Sequence, residues 1–397
     1  MEKVVIVSGA RTPIGSFGGS LKAFSPSDMA GLVMKEAVKR AGIKPEMVDE
    51  VIIAQVGSVD EDGFIGRVAA LKAEFPLETT AFSLNRQCGS GLQAIASAVM
   101  EIQTRHADIV VACGTENMSQ LPYYQFDARW GAKMGDKKFK DGVISILTWP
   151  LDHSHNGESA DKLAKRYEVS REEQDAYALR SQQLATKAIQ EGKFIDEIVP
   201  VESIDRKGNL SVFDTDEGPR SDSSLEKLTK LRPVFVTDGT GTVTAGNSST
   251  LNDGAAAVVL MSESKARELG LQPVLEVVDF TVAGIEPPMF GYAPKLSTDK
   301  LVKKLDIDLS TVDMVEINEA FACQAVAVAR DLQLDMEKVN IFGGGISLGH
   351  PLGATGVILT VKVMYELART EKKDAIVTMC IGGGQGVSMY FKKYSAD

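Results

Sequence analysis

A cysteine stands immediately before a predicted helix, in a segment rich in small residues. Residues 85–91 read Asn-Arg-Gln-Cys-Gly-Ser-Gly, and apolar residues follow at helical spacing from Leu92 to Met100. Unpaired N–H groups and the positive end of the helix dipole favour thiolate over thiol, so the pKa of Cys88 is expected to fall. Free cysteines more often lie buried in a core without chemistry. Cys88 is nevertheless the first candidate nucleophile, because the small residues beside it admit a substrate.

The same segment also matches a dinucleotide-binding fingerprint. Residues 89–94, Gly-Ser-Gly-Leu-Gln-Ala, fit G-x-G-x-x-A after a predicted strand, and Glu116 follows the next strand at a workable distance. The pattern carries little information and gives no role to the other candidate residues. The predicted fold also begins well before it, whereas the fingerprint usually opens the fold. An NAD-dependent oxidoreductase stays open as an alternative, which saturable binding of NADH would support.

Three further residues lie where predicted elements meet. His350 stands in a loop between Gly349 and Pro351. Cys380 ends a predicted strand before Ile-Gly-Gly-Gly, a turn whose backbone N–H groups can bind an anion. Asn318 opens a predicted helix, where an N-cap is the simplest interpretation. Each residue alone also fits a structural role, so they indicate chemistry only if the fold brings them together.

The elements that must position these residues repeat along the chain. Strands are predicted at 4–7, 51–54, 80–84 and 108–113, and a helix from Ser25 to Ala41 with Ser27 as its cap and Gly42 as its end. The last third repeats strand, glycine-rich loop, apolar helix and strand at 312–317, 343–351, 354–364 and 375–380. This alternation predicts βαβ units and a mostly parallel sheet. Cys88 and His350 occupy equivalent loop-to-helix junctions, so halves that face each other would bring them together.

Residues from about 121 to 247 interrupt this plan. The stretch is more charged and less strand-like, and it holds a basic run at 133–140. A helix is predicted from Ser170, where residues 170–173 have capping-box form. We interpret the stretch as an insertion over one face of the sheet, where ligand-shaping loops tend to lie. The basic run is interpreted as a solvated face or a subunit contact.

Composition narrows the class of protein. A length of 397 residues is about two to three times that of a usual domain and predicts two packed cores or one duplicated core. With 44% apolar and 24% charged residues, the composition is that of an ordinary globular protein. The 43 basic and 54 acidic residues give a net charge of −11, which argues against broad binding to nucleic acid or to acidic membranes. The start of the chain is too short and strand-like for a secretory signal, so we expect a cytoplasmic protein. Four cysteines and four histidines show no metal-binding spacing, and no metal is expected.

Taken together, four segments resemble the signatures of the thiolase family. They are residues 85–91, 318–322 (Asn-Glu-Ala-Phe-Ala), 349–351 (Gly-His-Pro) and 380–384 (Cys-Ile-Gly-Gly-Gly). Residues 10–15 and 252–256 are similar to the family as well, and the resemblance runs in order from about residue 4 to 391. It implies an α/β thiolase fold of two similar βαβαβαββ halves packed in layers. The N-terminal half would span 1–262, with the loop domain at about 121–247, and the C-terminal half 270–397.

The resemblance also implies a division of catalytic labour. Cys88 would take the acyl group, and His350 would activate it as a base and then donate a hydrogen bond to the thioester oxygen. Cys380 would remove the α-proton from the second acetyl-CoA. Asn318 would hold a water that forms one oxyanion hole with His350. The backbone N–H groups of Cys88 and Gly382 would form the other.

The implied activity is that of an acetyl-CoA C-acetyltransferase, which condenses two acetyl-CoA molecules reversibly into acetoacetyl-CoA and CoA. By analogy, Arg220 would contact the nucleotide part of CoA, and Ser249 and His155 would line the pantetheine and thioester region. No permanently bound cofactor is implied, because coenzyme A thioesters are the substrates. The expected kinetics are ping-pong, and the expected assembly is a homotetramer built as a dimer of dimers.

One position departs from the acetyltransferase pattern. Asn156 stands in His-Asn-Gly where that pattern has His-Met-Gly, and the methionine helps to limit the acyl pocket. Asparagine has comparable bulk but is polar, which leaves the acyl range open. The nearest alternative is a degradative 3-ketoacyl-CoA thiolase acting on longer chains. A non-catalytic CoA-binding module is a third hypothesis, and the presence of all four catalytic positions weighs against it.

Overall fold

The N-terminal part of the chain alternates strands and helices, in a computed structural model that describes residues 2–131, 133–204 and 209–395. Its first elements are β1 (Val4–Arg11), β2 (Gly15–Ser16), α1 (Pro26–Ala41), β3 (Glu50–Ala54), α2 (Ile65–Lys72), β4 (Thr80–Leu84), α3 (Ser90–Gln103) and β5 (Ile109–Asn117). The insertion follows with β6 (Tyr123–Tyr124), β7 (Lys140–Asp141), α4 (Gly142–Ile146), α5 (Asn156–Arg166), α6 (Arg171–Gln190), β8 (Val201–Ile204), β9 (Leu210–Phe213) and α7 (Leu225–Thr229). The chain then returns to the sheet through β10 (Asn252–Ser262) and α8 (Glu263–Glu268).

The C-terminal part repeats the alternation. Its elements are β11 (Leu275–Gly284), α9 (Ala293–Leu305), β12 (Val315–Ile317), α10 (Ala322–Asp331), α11 (Leu352–Arg369), β13 (Asp374–Ile381) and β14 (Gln385–Lys393). Short 3₁₀ helices lie at Pro45–Met47, Asp60–Phe64, Met118–Gln120, Ala128–Trp130, Pro287–Tyr292, Leu309–Thr311 and Met336–Lys338. The predicted strand at 312–317 begins only at Val315, because Val312 closes the 3₁₀ turn before it.

In the described part of the chain, ten strands form one mixed sheet rather than the mostly parallel sheet predicted from the sequence, and β6 with β7 and β8 with β9 form two separate two-stranded sheets. The order of the large sheet is β12-β13-β14-β11-β1-β10-β5-β3-β4, with β2 paired to β10. Only the outer pairs are parallel, namely β3 with β4 and β5, and β12 with β13. The strands between them, β1, β10, β11 and β14, pair antiparallel. The prediction was wrong because the last strands of each half return as antiparallel partners at the centre, without a helical crossover.

Two helices from different halves share the middle of the molecule. The main core contains apolar residues of α3 and α11 together with alternate residues of β5 and of β13, such as Val110, Ala112, Val377 and Met379. A second core packs α1 and α2 on the outer face of the first half. A third packs α9 and α10 outside the second half. The halves therefore stack in five layers, with α3 and α11 between the two parts of the sheet.

The middle helices approach backbone to backbone. A Cβ atom placed on Gly91 of α3 would lie 2.7 Å from the backbone N of Val357, and one on Gly356 of α11 would lie 2.4 Å from the N of Leu92. No side chain fits between these backbones, so glycine is required on both helices at the crossing. Each of these helices begins just after a loop that carries a candidate catalytic residue. Their close crossing fixes the two loops relative to each other.

Candidate active site

Cys88 lies in a tight turn between β4 and α3. The turn is held by its own polar groups: the Arg86 N–H donates to Ser90 Oγ at 2.8 Å, and Ser90 Oγ donates to the Gln87 carbonyl at 2.7 Å. Gln87 takes a left-handed conformation with φ of 47°, which turns the chain sharply just before the cysteine. The Cys88 side chain is buried against Val56, Met118 and Leu352. The local sequence thus fixes the orientation of the sulfur before any substrate binds.

The environment of the Cys88 sulfur raises its pKa, whereas the sequence predicted that the pKa would fall. Burial raises its pKa to about 11, although the backbone N–H groups of Gly382 and of Cys88 itself point at the sulfur and favour the thiolate. The predicted fall in pKa was wrong, because loss of solvent outweighs two N–H groups and the helix dipole. The two N–H groups themselves are the pair expected to form an oxyanion hole. In the unliganded protein Cys88 is a thiol that needs a base.

His350 is neutral and has a defined tautomer. Burial lowers its pKa to about 4. Its Nδ1 lies 2.6 Å from Thr355 Oγ1, and that hydroxyl donates its proton to the Pro351 carbonyl at 2.9 Å. Thr355 Oγ1 must then accept a hydrogen bond from Nδ1–H, which leaves the lone pair on Nε2. A neutral imidazole with a free Nε2 lone pair is a general base.

Asn318 lies beside this base. Its Nδ2 donates towards His350 Nε2 at 3.3 Å, and its Oδ1 is buried without a hydrogen-bond partner among the described residues. The backbone N–H of Asn318 donates to the Thr378 carbonyl at 3.0 Å, which ties the residue to β13. The side chain therefore faces the imidazole and is not the N-cap of a helix: α10 begins at Ala322, after Phe321 in the N-cap position.

Two supporting side chains were not found by sequence reasoning. Thr355 sets the His350 tautomer from one turn into α11. Glu319 is fully buried next to Asn318 and accepts hydrogen bonds from Tyr177 Oη at 3.1 Å and Ser181 Oγ at 2.6 Å. In the sequence, the only feature that points to Glu319 is its position inside the Asn-Glu-Ala-Phe segment. For Thr355, the five-residue spacing from His350 is the only clue.

Cys380 is the penultimate residue of β13 and lies behind the wall of the site. It is fully buried in a cluster with Phe290 and Phe321. Burial raises its pKa well above the usual range, and the proximity of Cys88 raises it further. The two sulfurs therefore lie close enough for the charge on one to oppose the charge on the other. The turn after Cys380 carries Gly382, whose N–H reaches the Cys88 sulfur.

A cavity of about 580 Å³ opens onto Cys88 and His350, whereas Cys380, Asn318 and Gly382 do not line it. Six of the residues singled out from the sequence line it: Cys88, His155, Asn156, Arg220, Ser249 and His350. Its remaining wall is largely apolar and includes Val143 and Leu147 from the insertion. Arg220 is exposed, whereas Ser249 is half-buried, with its N–H donating to the Ala320 carbonyl at 2.9 Å. The structure thus brings the three expected CoA-contact residues to the same cavity as Cys88 and His350.

His155 and Asn156 form part of the wall at the start of α5. His155 caps this helix, since its Nδ1 accepts the Gly157 N–H at 3.0 Å, and its ring stacks on Phe235 at 4.8 Å. Burial lowers the pKa of His155. The Asn156 carboxamide lies over Gly382, with Nδ2 3.5 Å from where a Cβ would stand. Asn156 is therefore next to the N–H that points at the Cys88 sulfur.

The geometry excludes the dinucleotide-binding alternative. Gly91, in the middle of the fingerprint, packs against the backbone of Val357 and leaves no room for a pyrophosphate. Glu116 is fully buried, and its carboxylate accepts three backbone N–H groups instead of facing a ribose site.

In residues 2–131, 133–204 and 209–395, no group of three His, Cys, Asp or Glu side chains is placed to hold a metal ion. Within the same ranges, no helix has the length and apolar character that crossing a bilayer requires.

The chain is similar to characterised proteins over its whole length. Residues 4–264 match the family model described as thiolase, N-terminal domain, and residues 271–393 match thiolase, C-terminal domain. The beta-ketothiolase BktB of Cupriavidus necator is 46% identical over 393 residues, covering 99% of both chains. The crystal structure of the Bacillus anthracis acetyl-CoA acetyltransferase superposes with a TM-score of 0.97 at 46% identity, covering 99% of both chains. Human mitochondrial 3-ketoacyl-CoA thiolase in complex with CoA superposes with a TM-score of 0.95 at 39% identity, covering 99% of this chain and 98% of that one. The fold class predicted from the sequence is confirmed.

Proposed function

The chain belongs to the thiolase family, and on this premise we propose that it catalyses the reversible Claisen condensation of two acetyl-CoA molecules into acetoacetyl-CoA and CoA. It is an acyltransferase that works through an acetyl-Cys88 thioester. The observation that carries the proposal is the shared cavity of Cys88 and His350, where two backbone N–H groups point at the sulfur and Nε2 of the imidazole is unprotonated.

The first half-reaction transfers the acetyl group to Cys88. Nε2 of His350 accepts the thiol proton as the sulfur attacks the thioester carbon of acetyl-CoA. The negative charge that develops on the carbonyl oxygen is stabilised by the N–H groups of Cys88 and Gly382; losing one such donor typically costs about 3–4 kcal/mol. The tetrahedral intermediate then collapses, and CoA leaves after taking the proton back from the imidazolium. Because the thiol stays protonated until substrate arrives, an activating base is needed.

The second half-reaction forms the carbon–carbon bond. A proton passes from the Cys380 thiol to Nε2 of His350; the Cys380 thiolate then removes a proton from the methyl group of a second acetyl-CoA, and the enolate oxygen is held by the Nε2–H of His350 and by a water on Asn318. The enolate carbon attacks the acetyl-Cys88 carbonyl, the bond to sulfur breaks, the Cys88 thiolate takes the proton from the His350 imidazolium, and acetoacetyl-CoA is released.

We propose that coenzyme A reaches the cavity along the side formed by the insertion. Arg220 at the exposed mouth would hold the nucleotide part, and Ser249 and His155 would line the path of the pantetheine arm; all three face the same cavity. The relatives support this choice of ligand, since the human 3-ketoacyl-CoA thiolase was solved with CoA bound. Coenzyme A is a substrate and product in this scheme, with no permanently bound cofactor.

A degradative 3-ketoacyl-CoA thiolase acting on longer chains is the second candidate. It is favoured by the polar Asn156 at the acyl end of the cavity and by the similarity to a beta-ketothiolase and a 3-ketoacyl-CoA thiolase. The two candidates share every catalytic residue and differ in the size of the acyl group. Thiolysis of a series of 3-ketoacyl-CoA substrates separates them: faster cleavage of C8 or C10 than of C4 would replace the acetyl-specific assignment.

Brief exposure to acetyl-CoA followed by mass spectrometry tests the proposed function directly. We expect one acetyl group, located on the peptide that contains Cys88, and release of one equivalent of CoA. No covalent adduct under conditions where CoA binds would leave the non-catalytic CoA-binding module as the better description.

We also propose a cytoplasmic homotetramer arranged as a dimer of dimers. Two exposed apolar surfaces support self-association. The edge strand β4 leaves Phe82 partly exposed, and the loop after β5 exposes Phe126 and Trp130. Light scattering on the purified protein tests this assembly, and a monomer or a single dimer would contradict it.

A further inference from the structure

Glu116 matched the acidic position of the dinucleotide-binding pattern in the sequence, but the structure gives it a different environment. It lies near the end of β5, and its side chain is completely buried. The carboxylate accepts three backbone hydrogen bonds: Oε1 from Gly57 at 2.9 Å, and Oε2 from Val56 at 3.1 Å and from Gly353 at 2.8 Å. Nothing in the catalytic cycle above uses this carboxylate.

The three N–H donors belong to different halves of the molecule. Val56 and Gly57 follow β3 in the first half, whereas Gly353 lies in the first turn of α11 in the second. A Cβ on Gly353 would lie 2.8 Å from the Cα of Gln55, so the two backbones almost touch where Glu116 joins them. The carboxylate is therefore a three-point link across the boundary between the halves.

Each end of this link lies next to a reacting group. Val56 packs against Cys88 in the small cluster behind the sulfur. Gly353 stands three residues after His350, in the turn that follows the histidine. The His350 backbone N–H is held separately by Asn252 Oδ1 at 3.0 Å. Glu116 is thus the link between the wall behind the nucleophile and the helix turn that follows the base.

We propose that Glu116 is a positioning residue of the reaction: its carboxylate ties the loop behind Cys88 to the first turn of α11 and so sets the placement of Cys88 relative to His350. This inference rests on the proposed function, since it concerns the geometry of the acetylation step. A displacement of about 1 Å at a catalytic group can slow a reaction by about a hundredfold.

Electrostatics and positioning predict opposite effects of removing the charge. After burial, which is the largest cause, the negative charge of Glu116 also raises the pKa of Cys88. Burial raises the pKa of Glu116 itself to about 7, and Asp62, in the 3₁₀ helix after β3, raises it too. Neutralising Glu116 would therefore favour the Cys88 thiolate and, through charge alone, speed its reaction. A slower reaction would report a loss of geometry.

Glu116→Gln keeps the size of the side chain but replaces one acceptor oxygen with a donor, which must face at least one of the three N–H groups. Asp49→Asn is the matched control, because Asp49 Oδ2 accepts the N–H groups of Asp108 and Ile109 at the opposite end of β5. The experiment measures acetyl-Cys88 formation by rapid quench at saturating acetyl-CoA, the Kd for CoA, and the melting temperature, on the wild type and both variants.

We expect Glu116→Gln to acetylate about tenfold or more slowly with a Kd for CoA within about twofold of the wild type. Asp49→Asn should melt at a lower temperature yet acetylate at the wild-type rate. Wild-type acetylation by Glu116→Gln, or equal slowing of both variants, would overturn the proposal. Glu116→Asp, which keeps the charge but is too short to span the three donors, should also be slow; failure of both Glu116 variants to fold would assign the residue to folding and overturn it as well. A wild type that forms no acetyl-Cys88 would instead contradict the proposed function.

Discussion

At the residue scale, Cys88 and His350 are both uncharged before substrate binds. Burial raises the thiol pKa to about 11 and lowers the imidazole pKa to about 4. A preformed thiolate–imidazolium pair would require the opposite order of pKa values. The nucleophile is therefore generated within the complex with substrate, when the imidazole takes the thiol proton.

The first prediction concerns the reactivity of Cys88 without substrate. Because its pKa is about 11, the thiolate fraction rises about tenfold per pH unit below that value. Alkylation by iodoacetamide, followed by peptide mass spectrometry between pH 6 and pH 10.5, should accelerate over the whole range. Acetyl-CoA should protect Cys88, and the buried Cys113 and Cys323 should react more slowly. A plateau below pH 8 would contradict the neutral resting state.

The second prediction separates the two sulfurs. Cys380→Ser replaces a thiol with a hydroxyl that does not ionise at working pH, so it removes the base for the second half-reaction alone. Acetyl-Cys88 should still form at close to the wild-type rate, while condensation falls by about a thousandfold. Rapid-quench mass spectrometry and a coupled acetoacetyl-CoA assay measure the two steps. Loss of acetylation in this variant would show that the division of labour is mistaken.

The third prediction concerns Asn156. Asn156→Met makes this part of the wall apolar, and its longer side chain occupies space beside Gly382. The ratio of kcat/KM for C4 to that for C8 3-ketoacyl-CoA should rise by about tenfold. The rate for C4 serves as the internal control and should change by less than about threefold. An unchanged ratio would show that the acyl range is set elsewhere in the cavity.

Sequence reasoning at this scale identified which residues meet but not what their environment does to them. Cys88, His350 and Asn318 stand at element junctions, which local patterns reveal. The pKa of Cys88 was predicted in the wrong direction because burial is decided by Met118 and Leu352, which lie far away in the sequence. Glu116 was noted only as the acidic residue of the alternative dinucleotide-binding pattern, because its backbone partners are far away in the sequence.

At the scale of elements, the periodicity of apolar residues predicted where helices and strands lie. It did not predict whether neighbouring strands run parallel or antiparallel. α1 and its Gly42 end are confirmed, although the capping box is formed by Ser25 with Asp28 and not by Ser27. The helix after Ser170 has the predicted capping box. A strand such as β10 is buried along its entire length, and its central residues 255–261 are all apolar, so its sequence does not distinguish a parallel from an antiparallel partner.

The fourth prediction tests the crossing of α3 and α11. Gly356→Ala places a methyl group 2.4 Å from the backbone N of Leu92, so one helix must move. The free energy of unfolding should fall by about 1–3 kcal/mol, and acetylation should slow because both catalytic loops shift. Gly63→Ala is the control, since a Cβ there meets no atom within 4 Å, and it should stay within about 0.5 kcal/mol of the wild type. Urea unfolding of both variants measures the difference.

At the scale of the whole molecule, the two halves share one core. Residues of α3, β5, α11 and β13 belong to a single apolar cluster. The predicted division of the chain into residues 1–262 and 270–397 stays a prediction about topology. Neither half encloses this apolar cluster by itself.

The fifth prediction follows from that shared core. Opening either half would expose the apolar faces of α3 and α11 together, so the halves should unfold as one unit. Scanning calorimetry of the unliganded protein should give one transition at a fixed protein concentration. Two resolved transitions, or a cooperatively folded fragment 270–397, would contradict a common core.

The site combines two kinds of structure: close backbone contacts between the two halves, and side chains that the insertion contributes to the cavity wall. The reacting sulfurs and the imidazole rest on backbone contacts between the halves, where glycines such as Gly91 and Gly356 tolerate no added atom. One side of the cavity is lined by Val143, Leu147 and Asn156, all supplied by the insertion. Substitutions in the insertion can therefore reshape this side of the cavity while the close backbone crossing of α3 and α11 stays as it is.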